Sequence, residues 1–119
     1  MPNFRLLVEY DGTDLEGWQI QPGPARTAQG ILAAALERIT GEAATVTGAG
    51  RTDAGVHAEG QVASVMLDTR LAPAELQRAL NALLPRDVAV REVARVPDAF
   101  HARRHARSKL YVYRLWTGR

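Results

Sequence analysis

"TAQGILAAALERITG", residues 27–41, decides how this chain folds. Ile31, Leu32, Ala35, Leu36 and Ile39 recur at spacings of three and four, which puts them on one face of a helix. Thr27 supplies a side-chain acceptor for the first turn, and Gly41 supplies the stop. A helix with one apolar face needs a surface to bury it, and the flanking segments predict a sheet. Upstream, "FRLLVEY" (4–10) is a short apolar run closed by Asp11-Gly12, a buried strand ending in a turn. The stretch from there to about Arg26 holds Gly17, Pro22, Gly23 and Pro24 and predicts no regular element. Downstream, "TVTGAG" (45–50) reads as a short β-branched strand running out into a glycine-rich loop. "QVASVMLD" (61–68) alternates as a strand with a mixed face. Pro73 opens a second helix, "PAELQRALNALL" (73–84), with Leu76, Leu80, Leu83 and Leu84 on its inner face and Pro85 at its end. "DVAVREVARV" (87–96) and "KLYVYRLWT" (109–117) are two further strands. The expected fold is α+β: a ferredoxin-like βαββαβ order with an extra strand, a mainly antiparallel sheet carrying both helices on one face. The other sheet face is then open to a ligand, and with aromatics and arginines on it such a face binds RNA.

At 119 residues the chain is one domain or part of one. Its balance of 46% hydrophobic and 24% charged residues is that of a globular protein, and no apolar run approaches the roughly 20 residues of a membrane span. The N-terminus has acids soon after its apolar run, unlike a signal or transit peptide. With no cysteine there is neither a disulfide nor a thiolate metal site, and a cytoplasmic location is expected. The net charge of +2 conceals an asymmetry. Residues 1–98 hold nine Lys and Arg against thirteen Asp and Glu, a balance of −4. Residues 99–119 hold six basic residues and no acid. That basic segment interleaves Arg103, Arg104, Arg107, Lys109, Arg114 and Arg119 with Tyr111, Tyr113 and Trp116, a composition suited to phosphate contact and base stacking or to the polar face of a strand.

"AGRTDAGVHAEGQ" (49–61) places Asp53 in a turn rich in small residues, with Arg51 two positions before it and His57 four after. Gly48, Gly50 and Gly55 permit sharp turns and a close approach by another molecule. A carboxylate in such a place is a nucleophile or general base, a metal ligand, or an Asx-turn residue holding its own loop. The glycines do not form the dinucleotide fingerprint, because Asp53 occupies the position of its third glycine, and there is no Gly-Lys-Ser/Thr phosphate loop. "Thr-Asp-Ala-Gly" reverses the Asp-Thr/Ser-Gly order of aspartic proteases. A metal site would combine Asp53 and His57 with His101 and His105, but the latter pair stands in an arginine-crowded stretch that repels cations, so no metal is expected. Trp18 reads as a partly buried anchor beside a turn. For His57, a loop-stabilising hydrogen bond is favoured over acid–base chemistry or a phosphate contact.

Five stretches together, "YDGTDLEGWQIQP" (10–22), "TAQGILAAALERITG", "GAGRTDAGVHAEGQVA" (48–63), "ALNALLPRDVAV" (79–90) and "FHARRHARSKLYVYRL" (100–115), resemble the consecutive motifs of the tRNA pseudouridine synthase A family. The resemblance spans nearly the whole chain, and "GRTDAGVHA" is its most specific part. It implies isomerisation of uridine to pseudouridine in the anticodon stem-loop of tRNA, next to the loop on its 3′ side, with no cofactor. It makes Asp53 the catalytic aspartate and Arg51 the arginine that supports the flipped nucleotide. Tyr111 becomes the tyrosine that stacks on the target base, and Arg103, Arg107 and Lys109 are expected to join them as RNA contacts. Family members continue into a second α/β half that completes the cleft and contributes to a homodimer. Residues 1–119 are therefore expected to be the N-terminal, motif-bearing half. The alternative is a non-catalytic RNA-binding ferredoxin-like module that retains the motif.

Overall fold

A computed structural model describes residues 1–21, 23, 26–50, 55 and 57–102. Among them, four strands form one antiparallel sheet: β1 (Asn3–Tyr10), β2 (Thr47–Gly48), β3 (Ala58–Met66) and β4 (Val88–Val96), in the order β2-β3-β1-β4. Helices α1 (Ala28–Thr40) and α2 (Pro73–Leu83) connect β1 to β2 and β3 to β4. Element order and strand order are those of the expected ferredoxin-like βαββαβ fold. The extra strand expected at 109–117 lies outside the described residues.

Helix α1 has the limits its caps dictate. Thr27 accepts from the Gly30 N–H, and Gly41 ends the helix in the left-handed conformation at φ 80°, where a side chain would be strained. Helix α2 begins at Pro73, and the Glu75 carboxylate reaches back to the Ala72 N–H at 2.9 Å. The inner faces of both helices meet the same side of the sheet. Leu32 and Leu36 of α1 and Leu76 and Leu80 of α2 enclose Phe4, Leu6 and Val8 of β1, Ala63 and Val65 of β3, and Val88 and Val90 of β4. All are 3% exposed or less.

The strands depart from the expected limits where pairing, not local composition, sets them. Strand β2 is only two residues long, because its partners on β3 are Ser64 and Ala63 alone. Strand β3 starts three residues earlier than its alternation predicts, because Ala58 pairs with Tyr10. Its mixed face also acquires an explanation. Ser64 points away from the helices yet is 6% exposed, because the chain leaving β4 crosses that face. The Asn3 amide donates to the carbonyls of Pro97 and Phe100, and the Ala102 N–H donates to Ser64 Oγ at 3.1 Å.

Among the described residues of the connection from Asp11 to Arg26, the one regular element is a single 3-10 turn, Gly12–Asp14. Trp18 lies within it and, at 2% exposure, is fully buried rather than partly so. Its ring stacks on Tyr10 with centroids 6.3 Å apart. It also explains Gly48, since a Cβ there would stand 2.4 Å from the indole Nε1.

Candidate active site

Tyr10 pairs with Ala58, so the residues after β1 and before β3 emerge side by side from one end of the sheet. Both β1 pairings are irregular close to that end. One register shift falls between Val8 and Tyr10 against β3, and the other leaves Arg91 of β4 as an extra residue opposite Leu7 and Val8. Bulges of this kind re-aim side chains. The Arg91 guanidinium reaches the Glu59 carbonyl at 2.8 Å and lies 3.9 Å from the Glu9 carboxylate.

Asp11 opens an Asx-type turn, accepting from the Thr13 hydroxyl at 2.6 Å and the Thr13 N–H at 3.0 Å. The Thr13 hydroxyl and then its N–H hold the Asp11 carboxyl below its ordinary pKa, with a smaller contribution from His57. The Gly12 N–H donates to His57 Nδ1 at 2.8 Å, the loop-stabilising bond that the sequence favours for this histidine. The same nitrogen lies 3.1 Å from Asp11 Oδ1.

These contacts form one end of a clamp on the glycine-rich loop. On its upstream side the Ala49 N–H donates to the Val62 carbonyl at 2.8 Å, and the Gln61 amide donates to the Gly50 carbonyl. On its downstream side the Gly55 N–H donates to the Leu15 carbonyl at 3.1 Å, with Gly55 at φ 81°. The Leu15 segment is in turn fixed to the lead-in of α1. Glu16 bonds to the Arg26 carbonyl at 2.7 Å, and Ala28 and Gln29 bond to the carbonyls of Gly17 and Trp18. The Gln29 amide completes the frame by donating to the Val46 carbonyl and accepting from the Ile20 N–H. Farther out, Arg26 makes a two-pronged pair with Asp87, whose backbone carbonyl accepts from the Asp11 N–H. That pair holds the Asp87 carboxyl below its ordinary pKa.

Arg51, Asp53, Arg103, Arg107, Lys109 and Tyr111 all lie outside the described residues. Their described neighbours in the chain are Gly50 and Gly55, anchored as above, and Ala102, buried on Ser64. Some of the supporting residues were not predicted. Arg26 and Asp87 are 61 positions apart and carry no local signal, whereas Asp11-Gly12-Thr13 is an Asx-turn sequence that local reading can find. Beside the clamp, a shallow groove is bordered by Glu9, Asp11, His57, Glu59, Arg86 and Asp87. Arg86 lines it as well, Arg26 pairs with Asp87, and Arg91 lies 3.9 Å from Glu9. Among the described residues no helix is long and apolar enough to cross a membrane.

The family model described as tRNA pseudouridine synthase matches residues 6–103, which takes in β1 from Leu6 onward, the glycine-rich loop and everything through β4. The chain belongs to the tRNA pseudouridine synthase family. A tRNA pseudouridine synthase A of Nitratidesulfovibrio vulgaris (strain Miyazaki F) is 52% identical over 124 aligned residues, covering 100% of this chain and 44% of that protein. Proteins of the same name from Moorella thermoacetica and Bacillus sp. (strain KSM-64) are 47% and 43% identical, covering 100% and 98% of this chain and 49% and 48% of their own lengths. The chain thus spans just under half the length of these family members.

Proposed function

We propose that the chain is the N-terminal, motif-bearing half of an enzyme that converts uridine to pseudouridine in tRNA, with Asp53 as its catalytic carboxylate. The observation that carries this reading is the family match across residues 6–103, which contains "GRTDAG" in sequence order with the rest of the fold. In the reaction the N1–C1′ bond breaks, a C5–C1′ bond forms, the hydrogen on C5 leaves to solvent as a proton, and the freed N1 takes up a proton in its place. Nothing is oxidised or reduced, so no redox cofactor is needed. A carboxylate that traps or stabilises the sugar or base intermediate is needed, and an aspartate of ordinary pKa, about 4, is ionised at neutral pH. The target base starts inside a stacked stem, and flipping it out costs a few kcal/mol. Arg51 supports the flipped nucleotide and Tyr111 stacks on its base, while Arg103, Arg107 and Lys109 contact phosphates. The substrate is a uridine of the anticodon stem-loop on its 3′ side. The complete enzyme works as a homodimer in the cytoplasm.

A graft in which residues 1–119 replace the matching part of the Moorella thermoacetica relative tests the reading. Transcribed tRNA carrying tritium at uridine C5 releases it to water only when C5 is re-bonded. The graft is expected to release tritium, and Asp53→Asn to abolish release, on the order of a thousandfold or more, while still binding tRNA. A graft that binds tRNA without release would instead favour a non-catalytic RNA-binding module. Restricting the label to single uridines identifies the position modified, and light scattering of the graft reports the dimer.

A further inference from the structure

We propose that His57 is a positioning residue for the Asp53 loop, acting through Nδ1 as the acceptor for the Gly12 N–H. This rests on the reading that Asp53 does the chemistry. Nδ1 is 2.8 Å from a backbone N–H that can only donate, so it serves that N–H as an acceptor. Asp11 Oδ1, at 3.1 Å from Nδ1, is already an acceptor for both Thr13 donors and offers no proton of its own at neutral pH. Among the described residues, the other charged groups bordering the ring's groove are Glu9, Glu59, Arg86 and Asp87, with Arg91 beside Glu9 and Arg26 paired with Asp87. Those carboxylates disfavour a phosphate beside the ring, and positioning is the role the hydrogen bond supports.

The position of His57 gives the bond its consequence. It stands four residues after Asp53 and two after Gly55, whose own N–H is held by Leu15. The two bonds tie the downstream end of the loop to the Gly12–Asp14 turn and the residue that follows it. A carboxylate that must meet one atom of a flipped nucleotide loses rate steeply when displaced by about an ångström, commonly about a hundredfold.

The test uses three substitutions in the graft and the Gly12 amide as an independent readout. Asparagine can place its Oδ1 where Nδ1 stood, glutamine holds its oxygen one bond farther out, and leucine has no acceptor. We expect His57→Leu to lower kcat for tritium release about 10- to 100-fold with KM for tRNA within about twofold. His57→Asn should restore kcat to within about threefold, and His57→Gln should not. Hydrogen exchange at Gly12 should speed up in His57→Leu and stay slow in His57→Asn. Wild-type kcat in His57→Leu, or equal impairment in asparagine and glutamine variants, would overturn the proposal. If Asp53→Asn keeps its activity while Gly12 exchange follows the expected pattern, the catalytic reading has failed and the hydrogen bond has not. Unaltered Gly12 exchange in all three variants would remove the bond itself.

Discussion

The helix-covered face of the sheet and the loop clamp at its end are held by different forces. On the covered face, Leu32, Leu36, Leu76 and Leu80 are fully buried against β1, β3 and β4, and each apolar contact is backed by several others. At the clamp, His57 and Asp11 have side chains 63% and 62% exposed, and the connections are individual hydrogen bonds to Gly12, Gly50 and Gly55. Apolar burial gives the larger and less directional energy, and single exposed hydrogen bonds give position at little gain in stability. Substitutions on the covered face should therefore be read in unfolding experiments, and substitutions at the clamp in turnover.

The sharpest way to break this contrast is at Leu36. Leu36→Ala leaves a void in the α1 face of the core and is expected to cost about 2–5 kcal/mol, measured by urea unfolding. A loss below 1 kcal/mol would mean that the covered face is not close-packed. Gly48→Ala comes next and probes the border between the two regions. Its Cβ would meet the Trp18 indole, so Trp18 or β2 must move, at about 1–3 kcal/mol, with the Trp18 emission shifting as the indole is displaced. Unchanged stability and emission would show that the indole yields freely. The smallest effect is expected at the outer rim. The Arg26–Asp87 pair is partly exposed, so Asp87→Asn should cost no more than about 1 kcal/mol at neutral pH. Its pH dependence has a definite sign. Because Arg26 depresses the Asp87 pKa, the stabilisation is fully present above the ordinary carboxylate value, about 4, and is lost as pH falls through the lowered value. Unfolding curves of the two proteins should converge towards acid, and a gap that widens below pH 4 would contradict the assignment.

The parts of the fold legible in the sequence are those fixed locally. Thr27 and Gly41 bound α1, and the leucine spacing marks Leu76 and Leu80, because capping and helical periodicity act within a few residues. The ends of β2 and β3 were less legible, because Ala58 becomes a strand residue only through Tyr10, 48 positions away. Trp18 was recognisable as an anchor, but its full burial depends on Tyr10 and on the missing side chain of Gly48. At the site, Asp53 stood out through its setting among glycines and gained a chemical role only from the resemblance. The clamp was mostly hidden. The pairing of Gly12 with His57 spans 45 residues, and two strands must fold together before the donor and acceptor meet.

Tritium release from C5-labelled tRNA, with Asp53 and with Asp53→Asn in the same graft, tests the central claim most directly. The account predicts release up to about one equivalent per modifiable uridine with Asp53, and none above background with asparagine while tRNA is still bound. Release at an undiminished rate by the Asp53→Asn graft would contradict it.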